Sequence, residues 1–168
     1  MTTSEHSFSF AVLTSSDAGA KGEREDTSGD AVVEMMTAAG FKLIHRDIVP
    51  DEADRIAERL TAWSDGGDVD VIVTTGGTGL GPRDVTPQAT ASVVEFQVPG
   101  IAEAMRTETT RITPMAMLSR SVVGVRNGCL IVNLPGSPKG VRETLDVALK
   151  ALTHGLEMLQ GWRGHPSH

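Results

Sequence analysis

The sequence predicts an α/β fold, a three-layer α/β/α sandwich with a mostly parallel central sheet between two layers of helices. Short apolar runs alternate with amphipathic segments along the chain, and short turns separate them. Residues 69–75 form a run that is rich in β-branched side chains and has one charged residue, Asp70, which is typical of a parallel strand covered on both faces. Because the sequence contains no internal repeat and no linker, we expect one domain over 1–168, with an ordered core of about 8–162 and short tails.

The first half of the chain predicts strands and helices in alternation. Residues 8–16 and 41–49 are short apolar runs followed by polar loops, so we interpret both as strands. Residues 27–39 carry apolar side chains at helical spacing, and Gly40 follows where a helix is expected to stop. A second helix is expected after Pro50. Its apolar face consists of Ile56, Leu60 and Trp63.

The second half predicts two helices, a hairpin and a long final helix. Residues 86–95 and 100–110 have the composition of helices. The turn Asn127-Gly128 is typical of a β-hairpin, so residues 121–126 are expected to pair with Cys129–Leu134. Apolar residues at steps of three and four from Val141 onward indicate a helix that buries one face.

Composition excludes several classes of protein. The chain has 15 Lys and Arg against 22 Asp and Glu, a net charge of −7 without a basic cluster, which argues against nucleic acid as a partner. It has no apolar window of the roughly 18 residues that a membrane span needs, and no signal-peptide pattern. We therefore expect a cytoplasmic protein with no membrane partner. The single cysteine, Cys129, lies in an apolar run and is interpreted as a small buried hydrophobe.

A glycine-rich loop follows the buried strand at 69–75 and is the densest functional signal in the sequence. It contains Gly76, Gly77, Gly79 and Gly81 and leads into the helix expected near Thr86. Glycines let backbone N–H groups approach an anion closely, and a helix N-terminus adds positive charge. The loop lacks the spacing of a P-loop and of the dinucleotide fingerprint. It therefore predicts an anion site of another kind, with a simple tight connection as the alternative.

Two carboxylates are expected near this loop. Asp51 follows the second strand, and Asp84 lies in the glycine-rich loop itself. Mg²⁺ prefers one or two carboxylates together with water and substrate phosphates, so this pair could hold the ion. For Asp51 the alternative is a helix N-cap.

Two further loops end at the same edge of the predicted sheet. In residues 135–140, Ser137 can cap the last helix and Lys139 places a cation near an anion site; a well-formed helix N-terminus is the alternative. In the first loop Ser16 and Asp17 follow the strand, and the later charged run, Arg24 to Asp26, is interpreted as solvated. The five histidines show no metal-ligand spacing, and the last residues, 164–168, are expected to be disordered.

These loops together resemble the family of molybdenum cofactor biosynthesis proteins that includes MogA, MoaB and the G domain of gephyrin. The matching segments are SSDAGAKGEREDTSG, IVPDE, TTGGTGLGPRDVTPQAT, VPGIAEAMR, PMAMLSRSVVGVR and LIVNLPGSPKG. They span most of the chain, from about residue 8 to residue 159, and TTGGTG with RDVTP is the most specific of them.

The resemblance implies roles for individual residues. Asp51 and Asp84 match the acidic catalytic and magnesium positions of the family. Substrate and phosphate contacts are implied for residues of the first loop, the glycine-rich loop and the last loop: Ser16, Asp17, Thr75, Gly76, Gly77, Thr78, Gly79, Pro135, Gly136, Ser137 and Lys139. Ala18 departs from the pattern, because many relatives carry Arg or Lys there.

The resemblance also implies a function. MogA-like members use ATP and Mg²⁺ to transfer AMP to the terminal phosphate of molybdopterin, with release of pyrophosphate. The expected partners are molybdopterin, ATP, two further copies in a homotrimer, and transiently other proteins of molybdenum cofactor biosynthesis. The first alternative is MoaB-like binding of molybdopterin without AMP transfer, and the second is a nucleotide hydrolase related to the competence-damage proteins.

Overall fold

The computed structural model describes residues 7–161, in which a six-stranded sheet separates two layers of helices. The predicted disordered segment at 164–168 and three histidines, His6, His165 and His168, lie outside the described residues. The strands are β1 (Ser9–Ser15), β2 (Lys42–Val49), β3 (Val71–Thr75), β4 (Phe96–Gln97), β5 (Val123–Arg126) and β6 (Cys129–Leu134). The α-helices are α1 (Asp17–Ala20), α2 (Thr27–Ala38), α3 (Ala53–Asp65), α4 (Thr86–Val93), α5 (Pro99–Thr110) and α6 (Pro138–Leu159), and a 3-10 helix covers Pro114–Leu118.

The strand order is β2-β1-β3-β6-β5-β4. The four strands β2, β1, β3 and β6 are parallel, whereas β5 and β4 add an antiparallel edge. The predicted mostly parallel sheet is therefore confirmed, and so is the hairpin between β5 and β6 across Asn127 and Gly128. Asn127 has a positive φ of 48°, as such a tight turn requires.

Alternate side chains of the central strands enter two separate cores. Phe10 and Val12 of β1 pack in the core on the side of α2, α5 and α6, whereas Ala11 and Leu13 pack on the side of α3. The strands β3 and β6 alternate in the same way. This arrangement confirms the predicted three layers and explains why the central strands are apolar on both faces.

A buried amide joins the elements beneath the glycine-rich loop. The Asn133 side chain is fully buried, and its Nδ2 donates to Thr74 Oγ1 at 3.0 Å and to Thr90 Oγ1 at 2.9 Å. Its Oδ1 accepts from the Val122 amide at 3.1 Å. Because each polar atom is paired, this group fixes β6 against β3 and α4 without the cost of an unsatisfied buried donor.

Three short elements differ from the sequence prediction. The one-turn helix α1, the two-residue strand β4 and the 3-10 helix carry too few residues for a periodic pattern. The helix predicted over 86–95 ends at Val93, because Val94 is extended (φ −76°, ψ 144°) and the Glu95 amide donates to the Val125 carbonyl at 2.8 Å. This bond brings the chain into β4.

In the described part of the chain, no helix combines the length and the apolar character that crossing a bilayer demands.

We expect the Cys129 thiol to be inert in the folded protein. The side chain is 1% exposed in β6, and burial raises the pKa of its thiol to about 12. Since the thiolate is the reactive species, a disulfide reagent at pH 8 should label native protein far more slowly than protein unfolded in urea. Stoichiometric labelling of the folded protein at the unfolded rate would contradict this prediction.

Candidate active site

A polar cavity of about 480 Å³ lies where β1, β2 and β3 end. Ligands in open parallel sheets bind at this carboxyl edge, where the strand order reverses about β1. Eight of the residues predicted from the sequence line it: Ser16, Asp51, Thr75, Gly76, Gly77, Asp84, Gly136 and Ser137. The fold therefore brings all four loops of the predicted site together, those that follow β1, β2, β3 and β6.

Asp51 is held by reciprocal bonds to Asp17. Its Oδ2 accepts from the Asp17 amide at 3.0 Å, and the Asp51 amide donates to Asp17 Oδ1 at 3.0 Å. Ser15 Oγ donates to Asp51 Oδ1 at 2.6 Å. The alternative of an N-cap is not observed for Asp51, because Glu52 precedes α3 and makes no side-chain capping bond.

Arg83 joins the glycine-rich loop to the first loop. Its Nε and Nη2 donate to the two carboxylate oxygens of Asp17 at 3.0 and 2.9 Å. The hydrogen bond from Arg83 holds the pKa of Asp17 below its usual value, and the same bond raises the pKa of Arg83. Asp17 lies outside the lining of the polar cavity, so it contacts the site through Asp51.

The glycine-rich loop leaves backbone donors available for an anion. The amides of Gly77, Thr78 and Gly79 donate to no other described residue, whereas the Gly81 amide donates to Asp84 Oδ2 at 2.9 Å. Gly76 and Gly77 have φ values of 88° and 69°, the left-handed region that favours glycine. Consecutive amides in such a conformation form a concave anion site.

The loop before α6 begins a capped helix. Ser137 Oγ accepts from the Gly140 amide at 3.0 Å, and Pro138 occupies the first helical turn. Lys139 lines neither this cavity nor the apolar one described next; its side chain is 82% exposed and its Nζ lies 3.7 Å from Glu143 Oε1. The role predicted for Lys139 in orienting an anion stays a prediction.

A second, apolar cavity of about 270 Å³ adjoins the polar one. Its walls come from α5, the 3-10 helix and the start of α6, and Met105, Met115 and Leu118 contribute apolar surface. Ser137 lines both cavities. Three more of the loop residues predicted from the sequence line the apolar cavity: Thr78, Gly79 and Pro135. Asp17 and Lys139 line neither cavity.

The sequence over residues 11–154 matches the molybdenum cofactor biosynthesis family (MoCF_biosynth), described as "probable molybdopterin binding domain". The chain belongs to this family.

Individual members of the molybdenum cofactor biosynthesis family agree with this assignment. The chain is 41% identical to the molybdopterin adenylyltransferase of Helicobacter pylori over 154 residues, 90% of this chain and 88% of that protein. It is 36% identical to Dictyostelium discoideum gephyrin, matching 92% of this chain and 23% of that longer protein. A crystal structure of the molybdopterin biosynthesis enzyme MoaB from Thermus thermophilus is 48% identical, covers 92% of this chain and 97% of that chain, and superimposes with a TM-score of 0.87.

In this family member, the donor set of the polar cavity fits a magnesium ion that arrives with a nucleotide. No cluster of three or more His, Cys, Asp or Glu side chains that could hold a metal occurs among residues 7–161. Two carboxylates, Asp51 and Asp84, do line one cavity, and Asp84 Oδ1 accepts no hydrogen bond from the described residues. Magnesium shared between carboxylates, phosphates and water needs only one or two such ligands.

Sequence reasoning missed a hydroxyl network in the wall of the polar cavity. Thr75 Oγ1 lies 3.1 Å from Ser28 Oγ and 3.3 Å from Thr14 Oγ1, and Thr14 Oγ1 donates to Asp26 Oδ2 at 2.8 Å. The Asp26 side chain is 6% exposed, so this part of the charged run is buried and not solvated as expected. The sequence did offer a signal for this role, because Asp26 directly precedes a predicted helix. In the structure its side chain caps α2 by accepting a hydrogen bond from the Gly29 amide.

Proposed function

We propose that the chain is a molybdopterin adenylyltransferase, which transfers AMP from ATP to the terminal phosphate of molybdopterin. The observation that carries the proposal is the convergence of Asp51, Asp84 and the unbonded amides of the glycine-rich loop on one region of the sheet edge. The similarity to the Helicobacter enzyme, which bears this name, supports it.

Group transfer of this kind requires positioning and charge stabilisation. A terminal phosphate oxygen of molybdopterin attacks the α-phosphorus of ATP, the bond from that phosphorus to the bridging oxygen breaks, and pyrophosphate leaves. No covalent bond to the protein forms. The attacking and leaving oxygens must lie in line, and donors must face the oxygens on which charge develops.

Different residues of the two cavities would bind the phosphates, hold the metal ion and orient the substrate. The amides of Gly77, Thr78 and Gly79 would receive phosphate oxygens. Asp51 and Asp84 would hold Mg²⁺, which neutralises negative charge on the nucleotide phosphates when bound. Ser137 would orient the substrate where the polar and apolar cavities meet, and the apolar cavity offers a surface for a ring system.

Three further features belong to the proposal. A homotrimer is supported by apolar side chains that the described protomer leaves exposed, which a subunit contact would cover. They are Leu80, Ile112 and Met117, which line neither cavity. A cytoplasmic location and transient contact with other cofactor biosynthesis proteins stay predictions.

Binding of molybdopterin without AMP transfer is the second candidate, because the family resemblance includes MoaB and the chain is 48% identical to the Thermus structure of that name. One experiment separates the two functions. Purified protein is incubated with molybdopterin, Mg²⁺ and ATP labelled at the α-phosphate, and adenylated molybdopterin and pyrophosphate are quantified. We expect the two products in a one-to-one ratio.

The control reaction replaces ATP by its α,β-methylene analogue, in which the bond that must break is absent. This analogue should bind and give no product. Bound molybdopterin with no transferred label from ATP would select the second candidate, and no bound molybdopterin would contradict both.

A further inference from the structure

Arg120 contacts the glycine-rich loop at three points. Its Nε donates to the Gly79 carbonyl at 2.8 Å, and its Nη2 donates to the Asp84 carbonyl at 2.7 Å. Its own amide donates to the Thr78 carbonyl at 2.9 Å. One side chain thereby spans the loop from its anion-binding glycines to the candidate catalytic carboxylate.

The chemistry of these contacts requires an arginine. The two acceptors of the side chain lie five positions apart on the loop, and the planar guanidinium offers donors in a fixed fork that reaches both. Arg120 is half-buried and forms no ion pair with any residue of the described range 7–161. Its positive charge therefore stays beside the loop that would receive phosphate.

The segment that carries Arg120 is itself held in place. Arg106 of α5 donates to the Ser121 carbonyl at 2.9 Å, and Ser121 is 5% exposed. Ser119 and Ser121 flank Arg120 and line the apolar cavity. Arg120 therefore connects the wall of the apolar cavity with the loop of the polar cavity.

We propose that Arg120 is a positioning residue, whose guanidinium fork sets the geometry of Gly79 and Asp84 for the reaction. Within residues 7–161 its guanidinium donates hydrogen bonds to carbonyl groups alone, so it acts on the substrates through the loop. The kinetic part of this inference rests on the proposed function, whereas the part that concerns the loop does not.

The test compares Arg120→Lys and Arg120→Gln with the control Arg126→Gln. Arg126 resembles Arg120 in that it donates to a backbone carbonyl, that of Val93, but it also pairs with Asp65 and lines neither cavity. We expect both Arg120 variants to lower kcat for AMP transfer by about 100-fold, because a shift of reacting groups by about 1 Å has an effect of this size. The KM for molybdopterin should change less than about 3-fold, and the control should keep wild-type kcat.

Amide hydrogen exchange of residues 76–86 supplies a readout that needs no activity. We expect faster exchange at Gly81 and Asp84 in both Arg120 variants and unchanged exchange in the control, because the bonds of these amides depend on the loop conformation. Unchanged exchange in the Arg120 variants would overturn the inference. Wild-type kcat in Arg120→Lys would also overturn the inference, because a positive charge without the planar guanidinium fork would then be sufficient for AMP transfer.

A wild-type protein that transfers no AMP would refute the proposed function, and the exchange rates would still decide the role of Arg120. The free energy of unfolding is measured for all three variants. The inference would be contradicted if the Arg120 variants lost as much free energy of unfolding as Arg126→Gln and showed the same amide exchange at residues 76–86. Arg120 would then have a role in stability alone.

Discussion

Replacing Asp84 by Asn is expected to lower kcat for AMP transfer by about 100-fold to 1,000-fold, the range seen when one electrostatic contact in a transition state is lost. The change removes one negative charge from the polar cavity and, with it, the carboxylate that we propose as a magnesium ligand. Asn keeps an oxygen that can accept the bond from the Gly81 amide, now made to Asp84 Oδ2 at 2.9 Å. The loop should therefore keep its conformation, and the free energy of unfolding should change by less than about 1 kcal/mol.

A charge-matched control is available for this variant. Asp54→Asn, in the exposed first turn of α3, also changes the formal net charge from −7 to −6 and touches neither cavity. Its kcat should equal that of the wild type. If Asp84→Asn kept the wild-type kcat at saturating Mg²⁺, Asp84 would have no part in the chemistry.

The layers of this fold could be predicted from local signals in the sequence. The central strands are apolar runs in the sequence because their two faces contribute to two cores. The apolar residues of α6 recur at helical spacing because that face of the helix packs on the sheet. The two-residue strand β4 gave no such signal. It exists because the edge of β5 offers unpaired groups, which Glu95 and Val98 satisfy through their amides.

The candidate site was predictable as a set of loops but not as a set of contacts. Glycines and carboxylates at strand ends indicate which loops matter, since all parallel strands end at one edge. The bond between Arg83 and Asp17 joins residues 66 positions apart, and that between Arg120 and Gly79 joins residues 41 apart. Neither pair shares a local pattern, so only the folded chain shows that one arginine supports Asp51 and another supports Asp84.

Replacing Gly76 by Ala is expected to destabilise the protein by about 2 to 5 kcal/mol. A left-handed conformation costs an alanine about 1 to 2 kcal/mol, and forcing a methyl group into packed surroundings costs about 1 to 3 kcal/mol more. Both terms apply here, because φ is 88° and an added Cβ would lie 2.4 Å from the Ser15 carbonyl oxygen. That carbonyl belongs to β1, which cannot move without breaking the sheet.

Gly40→Ala separates the two terms. Gly40 has a φ of 92°, and an added Cβ would meet nothing within 4 Å, so only the conformational term should appear in its free energy of unfolding. Urea denaturation of both variants gives the steric term as the difference between their losses, expected to be about 1 to 3 kcal/mol. Equal losses would mean that β1 yields to the methyl group.

The same two variants test whether the loop conformation is needed for binding. Gly136 lies close to Gly76, since a Cβ added to Gly136 would be 3.2 Å from the Gly76 Cα. A displaced Gly76 therefore also shifts the loop before α6. We therefore expect Gly76→Ala to weaken binding of Mg-ATP by at least about 10-fold in calorimetry below its unfolding temperature, while Gly40→Ala binds as the wild type does. Wild-type affinity in a folded Gly76→Ala protein would show that the amides of this loop do not hold the phosphates.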